Sequence, residues 1–381
     1  MTYELGQGTG PLRGVRVVEL AGIGPGPHAC MLLADLGADV IRVERSSGGT
    51  FDFGSADLLN RGRPSVALDL KDPAAVETVL RLVETADVLV EGMRPGVTER
   101  LGLGPDACLA RNPRLVYGRM TGWGQEGPLA HAAGHDMNYI ALAGVLHGLG
   151  QDPSRPHFPT NLVGDFGGGS TYLVIGVLAA LLQARLSGEG QVVDAAIVDG
   201  AAHLNAMAAT FAGMGVAGGR GTGPLDGGAP WYDLYETADG GHMTLGALEP
   251  QFWDEFCRLA ELDLPDRNDP AQAPAIREAI AARFAERTQE EWTAVFDGSD
   301  ACVAPVLTLT EAAAHPHMAA RETYVAPGGV LQPAPAPRFS RTPATLSTPP
   351  SNRGADTRAA LTAWGIDDVE ALIDSGAAVQ R

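Results

Sequence analysis

The first 120 residues alternate short apolar runs with segments of helical spacing, and this rhythm constrains the fold more than any other feature. Val15 to Leu20, Asp39 to Glu44, Asp87 to Glu91 and Leu115 to Met120 have the length and β-branched content of buried strands. Between them, Pro27 to Leu36, Pro73 to Thr85 and Val97 to Asn112 read as helices. Strands joined by helical crossovers run parallel, so an α/β fold is expected, with a parallel sheet wrapped by helices. A further strand, Gln191 to Val198, follows an apolar helix that begins near Ser170.

The chain then changes character. Gly213 to Pro230 carries eight glycines and reads as a flexible connector. Trp231 to Leu248 has the pattern of a hairpin turning at Asp239-Gly240-Gly241, and Pro274 to Arg287 and Gln289 to Phe296 are acidic helical stretches. Pro327 to Pro350 is proline-rich and extended, and short helices at about Asp356 to Trp364 and Asp367 to Ser375 close the chain. The expected organisation is a large domain over 1–200, a linker over 201–230, a small α+β domain over 231–325, a return linker over 326–350, and C-terminal helices over 351–381 packed on the large domain.

Cys30, Cys108, Cys257 and Cys302 lie far apart, with no CxxC and no zinc-type spacing. No metal and a reduced, cytoplasmic setting are therefore expected. The polar, glycine-rich start lacks the basic and apolar regions of a signal peptide. The longest apolar run, Tyr172 to Leu182, is shorter than the roughly 20 residues a bilayer requires, so no membrane is expected.

The formal charge of −19 argues against nucleic acid as a partner. Its distribution says more. Residues 1–120 hold 13 Lys and Arg against 15 Asp and Glu, whereas residues 121–381 hold 14 against 31. The chain's one lysine, Lys71, lies in the first part with Arg42, Arg45, Arg61, Arg63, Arg94 and Arg100. A small anionic ligand would be steered there.

Three segments carry candidate chemistry. Gly22-Ile23-Gly24-Pro25-Gly26-Pro27 after the first strand superficially suggests a dinucleotide turn, but its spacing is not GxGxxG and its prolines remove amides that would cradle pyrophosphate. Gly134-His135-Asp136-Met137-Asn138-Tyr139 places a His-Asp pair at a helix start, where unpaired amides suit a developing oxyanion. Asn161-Leu162-Val163-Gly164-Asp165-Phe166-Gly167-Gly168-Gly169-Ser170 places an aspartate where the backbone closely approaches a neighbour, and partial burial there would raise its pKa. Either segment also reads as a plain helix cap. Glu249, in Glu249-Pro250-Gln251-Phe252, follows an apolar strand and carries little meaning alone.

Taken together, these segments resemble one family. Leu12 to Leu20, Leu36 to Glu44, Leu68-Asp69-Leu70-Lys71 and Arg94-Pro95-Gly96 look like the opening of family III CoA-transferases of the CaiB/BaiF type. The His135, Asp165 and Glu249 segments, with Ala336 to Pro343, look like the acid–base set of the α-methylacyl-CoA racemase branch. The resemblance implies a Rossmann-like large domain, a small domain and an interlocked homodimer. It makes His135 and Asp165 the two bases, has Glu249 hold His135, and places backbone donors for an enolate near Asp136. It assigns CoA contacts to Arg45, Leu68, Asp69, Leu70, Lys71, Gly92, Met93, Arg94, Arg100, Gly134, Met137, Asn138 and Tyr139. The implied substrate is an acyl-CoA thioester, with no cofactor beyond the CoA that the substrate carries. The alternative chemistry is CoA transfer with Asp165 as nucleophile, and a non-catalytic thioester-binding protein is the rival from another class.

Overall fold

The structure is a computed structural model and describes residues 3–47, 53–215 and 218–381. Residues 1–2 of the polar start and 216–217 of the glycine-rich connector lie outside the described residues. The chain forms two compact units, one of Met1–Ala143, Pro159–Asn205 and Tyr324–Arg381, the other of Gly144–Phe158 and Ala206–Thr323.

The first unit is built on the expected parallel sheet. Its strands are β1 (Arg16–Leu20), β2 (Asp39–Arg45), β3 (Ser65–Leu68), β4 (Val88–Glu91), β5 (Val116–Thr121) and β6 (Gln191–Ala196), in the spatial order β3-β2-β1-β4-β5-β6. A last strand, Ala378–Val379, pairs antiparallel with β3 at one edge. Alternation along the strands supplies two cores. Val18, Ile41, Leu89 and Tyr117 pack under the helix Pro73–Thr85 and the C-terminal helices Thr357–Ala363 and Val369–Ser375. Val17, Val40, Val88 and Val116 face the helices Pro25–Asp35 and Thr171–Ser187.

Several elements differ from the sequence expectation for local reasons. β3 is only four residues long, too short to show a period. The helix expected over Val97 to Asn112 is two, Val97–Arg100 and Pro105–Arg111, because Gly102 takes φ +76° and Pro105 cannot donate to a preceding turn. β6 stops at Ala196, and the helix Ile197–Leu204 takes over.

The apolar helix begins earlier than expected. A π-type turn, Leu162–Ser170, runs straight into Thr171–Ser187. By length and composition the continuous helix Leu162–Ser187 is long and apolar enough to cross a membrane, unlike the shorter apolar run within it. In this unit it lies against β5 and β6 with Leu173 and Val177 fully buried. Gly118 on β5 allows the approach, since a Cβ there would stand 3.0 Å from Leu173 Cδ1.

The second unit takes in Gly144–Phe158, which interrupts the stretch expected as one domain over 1–200. Hydrogen bonds explain this: Arg220 donates to the carbonyls of His147, Asp152 and Pro153, each at 3.0 Å. The unit carries the antiparallel strands β7 (Tyr232–Glu236), β8 (His242–Gly246) and β9 (Val303–Pro305), with the β7–β8 turn at the expected Asp239-Gly240-Gly241. Pro250–Ala260, Ala273–Phe284 and Gln289–Phe296 cover this sheet around Phe256, Phe284, Trp292 and Phe296.

Candidate active site

The order of the sheet locates the site. The chain adds β2 and β3 on one side of β1, then returns to place β4 on the other. In open α/β sheets the connections after two such strands diverge and leave a crevice at their carboxyl ends. A cavity of about 620 Å³ occurs there, lined by the Gly22–Pro27 turn after β1, Gly92–Pro95 after β4 and Met120–Trp123 at the end of β5.

His135 and Asp165 both line this cavity. His135 is the N-cap of the helix Asp136–Leu142 and is exposed, and its backbone amide donates to Asn138 Oδ1 at 3.0 Å. Asn138 thereby orients the turn that presents the imidazole. The amides of Asp136 and Met137, at the start of the same helix, have no acceptor among the described residues. Tyr139 stands behind them, its hydroxyl donating to the carbonyl of Gly134.

Asp165 reaches the cavity from the π-type turn. The wide turn depends on its glycines. A Cβ at Gly168 would lie 2.6 Å from Ala201 N, and one at Gly164 would strike the Asp136 carboxylate. These are the close approaches that the glycine cluster implied. Burial pushes the Asp165 carboxyl above the usual carboxylate range; the Asn161 hydrogen bond at 3.4 Å opposes the shift, Asp136 adds to it and His135 opposes it. The cavity therefore holds an imidazole and a carboxyl biased toward its acid form.

Asp136 is placed differently. Its buried carboxylate does not line the cavity but accepts the amide of Asp165 at 2.6 Å through Oδ2, while Oδ1 has no partner among the described residues. It ties the His135 helix to the Asp165 turn. Burial raises its own pKa, and the Asp165 amide opposes the shift.

Of the residues assigned to CoA, Gly92, Met93, Arg94, Gly134 and Tyr139 line the cavity. Arg45, Leu68, Asp69, Leu70 and Lys71 lie at the ends of β2 and β3 on the same edge of the sheet, and Arg100 ends the short helix after β4; none lines the cavity, nor do Met137 and Asn138. Arg45, Lys71, Arg94 and Arg100 are exposed. Arg42, Arg61 and Arg63 are not the free cations that charge counting suggested. Arg61 pairs with Asp35 at 2.5 Å, Arg63 with Glu19, and Arg42 with Glu44 at 2.8 Å, all with little solvent exposure.

Two contributors carried no signal of their own in the sequence. Asn161 matters only because the turn brings it back to Asp165. His28 stacks on Phe166 at 4.3 Å and lies 2.6 Å from Ser170 Oγ. Ser170 Oγ donates to the Phe166 carbonyl, so its one proton is used and His28 Nδ1 must be the donor to it. Burial, reinforced by Arg61 and Arg63, lowers the His28 pKa to about 4, which keeps the ring neutral.

Glu249 belongs to the second unit, as the exposed N-cap of Pro250–Ala260. Its carboxylate does not cap that helix and accepts no hydrogen bond from the described residues.

A crevice at the strand ends, exposed cations along the same edge and two proton-transfer groups in one cavity define an enzyme site for a small anionic substrate. The chain matches CoA-transferase family III over residues 12–357 and belongs to that family. It is 46% identical to an alpha-methylacyl-CoA racemase of Mus musculus and 42% identical to that of Homo sapiens, in each case over 88% of this chain and 88% of the relative. A solved structure of a CAIB/BAIF family protein from Brucella suis superposes with a TM-score of 0.80 at 26% identity, covering 93% of this chain and all of that one.

Proposed function

We propose that this protein is an isomerase that racemises 2-methylacyl-CoA thioesters at C2 by 1,1-proton transfer. The observation that carries this reading is the presence of His135 and Asp165 on one cavity, with the Asp165 carboxyl biased toward its acid form. The His135 imidazole removes the C2 proton of one enantiomer, leaving a planar enolate. Asp165 then delivers a proton to the opposite face, and the roles exchange in reverse. Unpaired amides at the start of the Asp136–Leu142 helix suit the enolate oxygen, where one such donor is worth roughly 3 kcal/mol by analogy with oxyanion holes. Each positioned acid or base adds about 10²–10⁴-fold.

Glu249 is assigned to hold His135 in its working position, on the family resemblance and on its free carboxylate. The exposed Arg45, Lys71, Arg94 and Arg100 suit the CoA phosphates. The chemistry asks for no cofactor beyond the CoA of the substrate. A homodimer is part of the proposal: Ile175, Leu182 and Leu186 on the long helix and Val192 on β6 are large apolar side chains left exposed.

CoA transfer would use Asp165 as a nucleophile and give His135 no necessary task. Deuterium exchange at C2 of single enantiomers in D2O, without any acceptor acid, separates the readings. His135→Ala should abolish exchange from one hand and Asp165→Ala from the other. Parent-rate exchange of both hands in both variants would refute the two-base assignment.

A further inference from the structure

We propose that Arg267 is a positioning residue that sets the Glu249 carboxylate by clamping the backbone just before it. The inference rests on the reading of Glu249 as the group that holds His135. Arg267 Nη1 donates to the Ala247 carbonyl at 2.9 Å and Nη2 to the Leu248 carbonyl at 3.0 Å. These are the two residues between the end of β8 and Glu249. The guanidinium is itself held, 5.4 Å from the Trp231 ring centroid and 5.3 Å from that of Trp253, and the two rings stand at 72° to each other. Trp253 belongs to the first turn after Glu249, and its amide donates to the Glu249 carbonyl at 3.1 Å.

The clamp therefore grips Glu249 from both sides in sequence. Arg267 holds the two carbonyls ahead of it, and the backbone amide of Trp253, the residue whose indole Arg267 rests against, bonds the Glu249 carbonyl. No ion pair joins Arg267 to Glu249 among the described residues, so the influence runs through the backbone rather than through charge. A planar fork is required, because two successive carbonyls must be met at once by a group that also lies against aromatic faces. Glu249 has no hydrogen bond of its own to fix it, which leaves the backbone direction at residues 247–249 as what aims its carboxylate. A misplacement of about 1 Å in a catalytic support can cost on the order of 10²-fold in rate.

The test compares Arg267→Met, Arg267→Gln, Arg267→Lys, Glu249→Gln and the double variant Arg267→Met/Glu249→Gln in the full chain, reading kcat and KM for racemisation. Arg267→Met should lower kcat by about tenfold or more with KM unchanged. Arg267→Lys, which keeps the charge and most of the reach but can meet only one of the two carbonyls, should recover part of the rate, and Arg267→Gln, two atoms shorter than arginine, should stay near Arg267→Met. The double variant should be no slower than Glu249→Gln alone, because the two changes act on one group. If Arg267→Met fails to fold, a kcat of Arg267→Lys below the parent's and above that of Arg267→Gln carries the same decision. Parent kcat in Arg267→Met or in Arg267→Lys, beside an impaired Glu249→Gln, overturns the positioning role while leaving Glu249 its task. Losses that multiply in the double variant overturn it as well. Parent kcat in Glu249→Gln overturns the reading of Glu249 and the clamp together.

Discussion

Replacing Asp136 separates its structural tie from its charge. Asp136 Oδ2 accepts the Asp165 amide at 2.6 Å, while Oδ1 is buried without a partner among the described residues. Asp136→Asn keeps an acceptor in the same place. It exchanges a charge-assisted bond for a neutral one, a loss of about 1 kcal/mol, and takes a charge out of the buried site, a gain of similar size. Its stability should therefore stay within about 1 kcal/mol of the parent. Asp136→Ala leaves the Asp165 amide unpaired, at about 1–3 kcal/mol, so it should fall about 2 kcal/mol below Asp136→Asn. For a unit of this size that is a melting temperature roughly 4–8 °C lower.

The pH dependence has a definite sign. The folded protein raises the Asp136 pKa, so this group's contribution to stability is full below its unfolded value and is lost as pH rises through the raised value. Asp136→Asn has no such loss and should gain on the parent between acid and neutral pH. Removing the charge also removes one influence that raises Asp165. Asp165 then titrates lower, less of it is acid at neutral pH, and the limb of the rate profile that needs acid Asp165 moves to lower pH. Calorimetric melting and pH–rate profiles on single enantiomers measure both effects. Equal melting of the Asn and Ala variants, or an unmoved limb in Asp136→Asn, would refute the reasoning.

Arg94→Ala and Arg100→Ala should each weaken acyl-CoA binding by roughly tenfold, as one charge-assisted contact is worth about 1.5–3 kcal/mol, with the loss shrinking as salt is added. Calorimetric titration with an acyl-CoA at two salt concentrations measures this, and unaltered affinity in both variants would remove the assignment. Sedimentation should find a dimer at working concentration, and an active monomer would contradict the proposed assembly.

What the sequence disclosed follows from how far each cause extends along the chain. Most of the parallel sheet was legible because the crossovers from β1 to β5 are short, each next strand beginning within about 30 residues, whereas β6 begins only at Gln191, long after β5 ends at Thr121. Asp165 was legible for a related reason: the glycines that let the π-type turn pack on Ala201 and Asp136 lie beside it in the chain. His135 was legible because a helix start is a local event, with Asn138 bonding back over three residues.

The cations show where such reading stops. Formal charge treats Arg42, Arg61, Arg63, Arg94 and Arg100 alike, yet the fold ties the first three into ion pairs, burying Arg61 and Arg63, and leaves the last two exposed. The difference lies in tertiary partners. Arg63 meets Glu19 across 44 residues and Arg61 meets Asp35 across 26, and no local pattern announces either pairing. Breaking such a buried pair costs about 3–5 kcal/mol, so these arginines serve the fold before any ligand, whereas an exposed arginine is free to serve a phosphate. The division of labour among the basic residues is thus set by which carboxylates the sheet order brings beneath the cavity. Glu19 on β1 lies in register with Arg42 on β2, and both line the cavity wall; the arginines carried beyond the strand ends remain for the substrate.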